Sequence, residues 1–119
     1  MIELEVIRSG EIKDIYAIKE KGKCPCRDYM DSLDEGTLIK LEAVMETMAT
    51  RGRVANTQKY NPLRDGIYEF KAKKARVFCF HHGNSVICTH GVDKPKPKQL
   101  EVQLKKAKKK RSQFLSERR

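Results

Sequence analysis

The sequence predicts an α+β fold, and three patterns carry that reading. Residues 66–91 hold three consecutive β-rich stretches separated by turn residues. Leu38, Leu41, Val44, Met45 and Met48 recur at helical spacing, while Lys40, Glu42 and Glu46 fill the opposite side. After Pro95 and Pro97 a further run sets Leu100, Leu104, Ala107 and Phe114, with Leu115, near one stripe of a long lysine-rich helix.

Taken in order, the elements follow from local chemistry. Ile2, Leu4 and Val6 share one parity, and Ile12, Ile15, Tyr16 and Ile18 come later. Residues 1–18 therefore read as one or two strands broken at Ser9-Gly10. Gly22 and Pro25 mark residues 20–26 as a loop. From Arg27 the period changes, because Tyr29, Met30 and Leu33 fit a short helix that ends around Asp34 and Gly36. The longer helix over Leu38 to Met48 follows and stops at Thr50-Arg51-Gly52; its Met and Leu stripe is core and needs a sheet to lie on. That sheet is expected from Ile67 to Lys71, Ala75 to Phe80 and Ser85 to His90, with His82-Gly83-Asn84 as a hairpin turn and all three strands antiparallel. The expected order is strand, two helices, three strands, helix.

A chain of 119 residues with 39% apolar composition supports one domain, residues 1–119, with a modest core. No stretch reaches the ~20 apolar residues of a membrane span. Glu3 and Glu5 stand where a secretory signal needs a basic start, so a cytoplasmic protein is expected. Four cysteines are few for a disulfide scaffold. Cys24-Pro25-Cys26 lacks the spacing of a zinc pair, and Cys79 and Cys88 lie in apolar runs, so free thiols and no metal are expected.

Charge is the first functional signal. The chain carries a formal +10, and the stretch from Val92 to the end sets eleven Lys or Arg against Asp93, Glu101 and Glu117. A basic segment on a nearly neutral body points to a polyanion, of which nucleic acid is the commonest. A solvated lysine face that keeps the chain soluble gives the same pattern. His81 and His82 read as a solvated hairpin tip.

Four blocks in register carry a family resemblance: Cys24-Pro25-Cys26-Arg27-Asp28-Tyr29-Met30-Asp31-Ser32-Leu33, Pro62-Leu63-Arg64-Asp65-Gly66-Ile67-Tyr68-Glu69-Phe70-Lys71, Ala75-Arg76-Val77-Phe78-Cys79-Phe80 and Thr89-His90-Gly91-Val92-Asp93-Lys94. Together they resemble the phage-derived HigB-like toxins of the RelE/ParE superfamily, from about Ile12 onward. The resemblance implies a curved antiparallel sheet packed on two N-terminal helices, with a basic C-terminal helix from about residue 95 and a basic groove. It also implies a ribosome-dependent mRNA endonuclease without metal or other cofactor, neutralised by an antitoxin that is commonly a helix-turn-helix DNA-binding protein. Two other functions are compatible with the same fold: a ParE-like inhibitor of DNA gyrase, and a non-catalytic nucleic-acid or antitoxin-binding domain.

In such nucleases the ribose 2′-hydroxyl attacks the adjacent phosphate. That step needs a base for the nucleophile's proton, cations for the phosphorane's extra charge and an acid for the leaving 5′ oxygen. Lysine serves as base only where desolvation or neighbouring cations lower its pKa, whereas histidine needs no such shift. The resemblance places Arg76 as phosphate clamp, with an ion pair to Glu69 as the competing role. Lys71 is either the second clamp or an exposed strand lysine. Lys94 is implied as a phosphate contact, and His90 as acid or base, or else as a strand-end residue held by hydrogen bonds. Arg64, Lys73, Lys74, Lys96 and Lys98 are implied as flanking RNA contacts. Relatives continue the last block with paired lysines, so Asp93, Pro95 and Pro97 depart from the pattern. The lysines and arginine at 105–111 either track RNA phosphates, a strongly salt-dependent contribution, or form a solvated face.

Overall fold

The computed structural model describes residues 1–118. Two N-terminal strands, β1 (Ile2–Ser9) and β2 (Asp14–Glu20), are followed by the helices α1 (Pro25–Asp31) and α2 (Glu35–Arg51). Four strands come next, β3 (Tyr60–Pro62), β4 (Tyr68–Ala72), β5 (Ala75–His82) and β6 (Ser85–Asp93), and then α3 (Pro97–Glu117). The six strands form one sheet in the order β1-β2-β6-β5-β4-β3. The α+β expectation holds. Two details go beyond it: β3 was not foreseen, and β2 runs parallel to β6, with Ile15 opposite Val86 and Ala17 opposite Cys88. The other neighbouring strands are antiparallel.

The sheet is covered on both sides. Leu41, Val44, Met45 and Met48 of α2 and Met30 of α1 pack on Phe70, Val77, Cys79 and Cys88 from one face. Leu104, Ala107 and Phe114 of α3 pack on Ile18, Phe78, Phe80 and Ile87 from the other. Alternation along β5 sends Val77 and Cys79 to the first layer and Phe78 and Phe80 to the second. All four cysteines are buried free thiols in the first layer.

Local chemistry fixes the helix ends. Asp34 caps α2, its carboxylate accepting from the Thr37 amide at 3.0 Å and from the Thr37 hydroxyl at 2.7 Å. Gly52 ends it in the left-handed region at φ +79, where other residues are strained. Replacing the cap, Asp34→Ala, is expected to lower stability by about 1 kcal/mol, read as a shift in urea midpoint without a change in slope.

Pro97 stands in the first turn of α3, where its missing N–H goes unneeded. The two prolines therefore set the entry of α3 and leave β6 intact as far as Asp93. The helix is then fastened along its length. Lys110 meets Glu20 at 2.6 Å, Lys108 meets Asp65 at 2.9 Å, Arg64 pairs with Glu101, and Arg111 donates to the Asp65 carbonyl. Part of the basic C-terminal charge is thus spent inside the fold, while Lys105, Lys106 and Lys109 stay exposed.

Candidate nucleic-acid interface

Lys71 and Arg76 are direct cross-strand partners on β4 and β5. Directly opposite residues project to the same face with Cβ atoms about 5 Å apart. That face is the one α3 covers further along, since Phe78, two residues on from Arg76, belongs to the α3 layer. Val92 of β6 lies opposite Arg76 and packs in the same layer.

Arg76 is held on three sides. Its Nε lies 3.8 Å from Oε1 of Glu69, and the two side chains are only 12% and 10% exposed. Its Nη1 donates to the carbonyls of Lys73 at 2.7 Å and Ala75 at 2.9 Å. Nη2 makes no hydrogen bond to a described residue. Glu69 is steadied in turn by the Asn61 amide at 3.3 Å. Both roles weighed for Arg76 are therefore compatible: the ion pair to Glu69 fixes the guanidinium and leaves one edge of it unspent.

The remaining lysines gather at this end of the sheet. Lys73 and Lys74 form the exposed β4–β5 turn, with Lys73 at φ +51. The Lys94 amide donates to the Lys74 carbonyl at 2.7 Å, which docks the exit of β6 on that turn. Lys96 and Lys98 follow at the start of α3, both exposed. Arg64 stands apart from this group, its charge partnered by Glu101.

His90 is buried, and both ring nitrogens are engaged. Nδ1 lies 2.9 Å from the Thr89 hydroxyl and Nε2 lies 2.8 Å from the Gln103 side-chain oxygen. The neutral ring satisfies both by accepting at Nδ1 and donating at Nε2. Burial pushes its pKa down, outweighing the Gln103 contact, which raises it. His90 thus fastens α3 to β6. Its orientation comes from a bulge in β6, where the register shifts opposite Phe78 and Cys79. Cys88 faces the α2 layer, and the extra residue Thr89 turns His90 to the α3 side.

His81 and His82 are both exposed at the hairpin end, as expected, and the His81 ring is also held by contacts. Its Nε2 lies 2.7 Å from the Tyr60 hydroxyl and its ring meets Tyr68 edge-on at 4.8 Å. It follows Val77 and Cys79 on one parity of β5, a signal available in the sequence. Burial lowers its pKa as well. For both histidines the fold favours the neutral form, so their contribution to stability is fully present above the unfolded value near 6.5. It is lost as pH falls through the lower folded values. Thermal melts are expected to drop between pH 7.5 and pH 5.5, and His90→Gln is expected to flatten part of that drop.

Asp93 also finds its explanation here. Its carboxylate accepts from the Tyr29 hydroxyl at 2.9 Å, on the α1 side of the sheet and away from Lys71 and Arg76. Burial and this contact together raise the Tyr29 pKa. The acidic residue that departs from the pattern of the resemblance therefore braces α1 and places no negative charge between Lys71 and Arg76. Tyr29 lies directly over Gly91, where a Cβ would fall 2.7 Å from ring atoms Cε2 and Cγ and closer still to Cδ2. Nothing in the sequence announced the Tyr29 to Asp93 contact or the Gln103 partner of His90.

Among the described residues no three His, Cys, Asp or Glu side chains group as a metal ligand set. No described helix is long and apolar enough to cross a membrane. The model of the family described as phage derived protein Gp49-like (DUF891) matches residues 28–112, over two thirds of the chain. Among curated proteins none matches it significantly. The matched span runs from α1 into α3 and includes the strand pair, the β4–β5 turn and the β6 exit just described. The chain belongs to this phage-derived Gp49-like family, which is tied to the RelE-like toxins of toxin–antitoxin pairs and so implies an antitoxin as partner.

Proposed function

We propose that the protein is a HigB-like toxin that cleaves ribosome-bound mRNA in the cytoplasm by metal-independent attack of a ribose 2′-hydroxyl. The observation that carries this reading is the juxtaposition of Lys71 and Arg76 on one face, with the guanidinium held by Glu69 and one edge of it unspent. In the reaction the 2′ oxygen gives its proton to solvent and bonds to phosphorus, while the bond to the 5′ oxygen breaks and that oxygen takes a proton from solvent, leaving a cyclic phosphate and a 5′ hydroxyl. The free edge of Arg76 and the Lys71 ammonium supply the positive charge that the phosphorane needs. Lys94, Lys73 and Lys74 hold neighbouring phosphates, and Lys96 and Lys98 extend that track toward α3. His90, with both nitrogens engaged, acts as a positioning residue that keeps α3 beside the clamp.

The test is induction of the chain in cells without an antitoxin, with growth followed while transcript 5′ ends are mapped. Growth arrest with new ends confined to translated frames is expected. Arrest with intact transcripts and a DNA-damage response would overturn the nuclease reading in favour of gyrase, and normal growth would leave only a binding module.

A further inference from the structure

β2 and β6 are the parallel pair of the sheet, and they part before either ends. Their ladder stops at Ala17 opposite Cys88, yet β2 runs on to Glu20 and β6 to Asp93. The bulge at Thr89 begins just past that point. The two chains then leave to opposite sides: β2 leads into α1, packed in the α2 layer, and β6 leads into α3 on the other face. Where neighbouring parallel strands send their connections to opposite faces, a crevice is left outside their carboxyl ends, and open sheets bind ligands there. Here a cavity of about 340 Å³ lies at that place. Ile18, Pro25 and Thr89 wall it, and Lys21, Lys23, Lys110 and Glu20 supply its charge.

We propose that this crevice binds a small phosphorylated anion through the ammonium groups of Lys21, Lys23 and Lys110. Three cations stand against one carboxylate, and that carboxylate is already engaged, since Glu20 accepts from Lys110 at 2.6 Å and from the Gln113 amide at 2.9 Å. Lys21 and Lys23 make no ion pair with a described residue, so their charge stays available to a ligand. The walls narrow the class of that ligand. No aromatic side chain lines the cavity for a base to stack on. The Thr89 hydroxyl gives its proton to the His90 ring at 2.9 Å, which leaves the lysines as the donors. The volume lies at the lower end for small-molecule sites and has no room for a folded segment. A compact group with two or more negative charges suits three point-charge donors, and lysine serves phosphate in that way. An anion that reaches Lys110 competes with Glu20 for it, so occupancy bears on one of the ties that hold α3 to β2.

The experiment titrates the isotope-labelled full chain with pyrophosphate at constant ionic strength, with malonate as a dicarboxylate for comparison. Pyrophosphate is expected to shift the amides of Ile18, Gly22 and Thr89 to saturation, and malonate to bind there at least about tenfold more weakly. The double variant Lys21→Gln/Lys23→Gln is expected to weaken pyrophosphate by about tenfold or more, as the loss of two charged donors requires. Both substituted side chains are exposed, and an unchanged pattern of amide signals elsewhere verifies the fold. Lys105→Gln/Lys109→Gln, which removes two exposed cations outside the crevice, is expected to change the affinity by less than about twofold. Equal losses in the two variants, or shifts spread along α3, would show only the general attraction of a basic chain for anions and overturn the proposal. Malonate binding as tightly as pyrophosphate would overturn the phosphate assignment. Oligouridine displacing pyrophosphate from the same amides would make the crevice part of a nucleic-acid track and overturn it as well.

Discussion

Arg76→Ala is expected to abolish growth arrest and to destabilise the fold at the same time, and the two losses have separate causes. In the proposed reaction the phosphorane would lose a preorganised donor with the guanidinium, an effect of about 10²- to 10³-fold on rate at comparable sites. The fold also suffers, because Glu69 is left buried beside Asn61 with no cation. Orphaning one member of a buried pair costs about 3–5 kcal/mol. Adding Glu69→Gln removes the stranded charge, so the double variant is expected to regain much of the urea midpoint while cleavage stays absent. Recovery of wild-type cleavage together with stability would reduce Arg76 to a structural residue. Arg76→Lys is expected to fall between, since an ammonium cannot contact Glu69, the two carbonyls and a phosphate in one planar arrangement.

The second large effect is expected at Gly91, which contributes no side chain of its own. A methyl group there would overlap the Tyr29 ring, and that ring has little room to yield. Its hydroxyl is tied to Asp93, and its helix is packed through Met30 and Cys26 into the core. Overpacking of this kind typically costs 1–3 kcal/mol, and Gly91→Ala is expected near ~3 kcal/mol, read as a lowered melting temperature. In a Tyr29→Ala background the same substitution should cost almost nothing, a non-additivity that reports direct contact. Equal losses in both backgrounds would show that the glycine is needed for its backbone and not for the ring above it.

Helices and hairpins were legible because their signals are local. The Met and Leu stripe of α2 and the alternation of β4 and β5 are each read within one segment. β3 was hidden because three residues ending in Pro62 carry no periodicity, and Tyr60 gains strand geometry only by pairing with Phe70. The parallel contact between β2 and β6 was equally out of reach, since it joins segments with two helices and three strands between them. The site was legible in part for the same reason. Lys71 and Arg76 face each other through a two-residue turn, and their pairing follows from local spacing. Cys88 and His90 share a parity in sequence yet face opposite layers, because the bulge at Thr89 is a property of the paired sheet.

The placement of β6 also dictates an order of events as the chain is made. β6 is the last of the six described strands in chain order, yet it lies at the middle of the sheet, between β2 and β5. Until it arrives, the β1–β2 hairpin and the β3–β4–β5 meander have no hydrogen-bonded connection to each other. Joining them closes contacts across most of the chain length, which is slow compared with helix and hairpin formation. Only then does Lys94 dock on the β4–β5 turn and α3 find the face that presents Lys71 and Arg76. The face proposed to hold RNA is therefore assembled only after β6 and α3 have both emerged and docked, however early its two cations were synthesised.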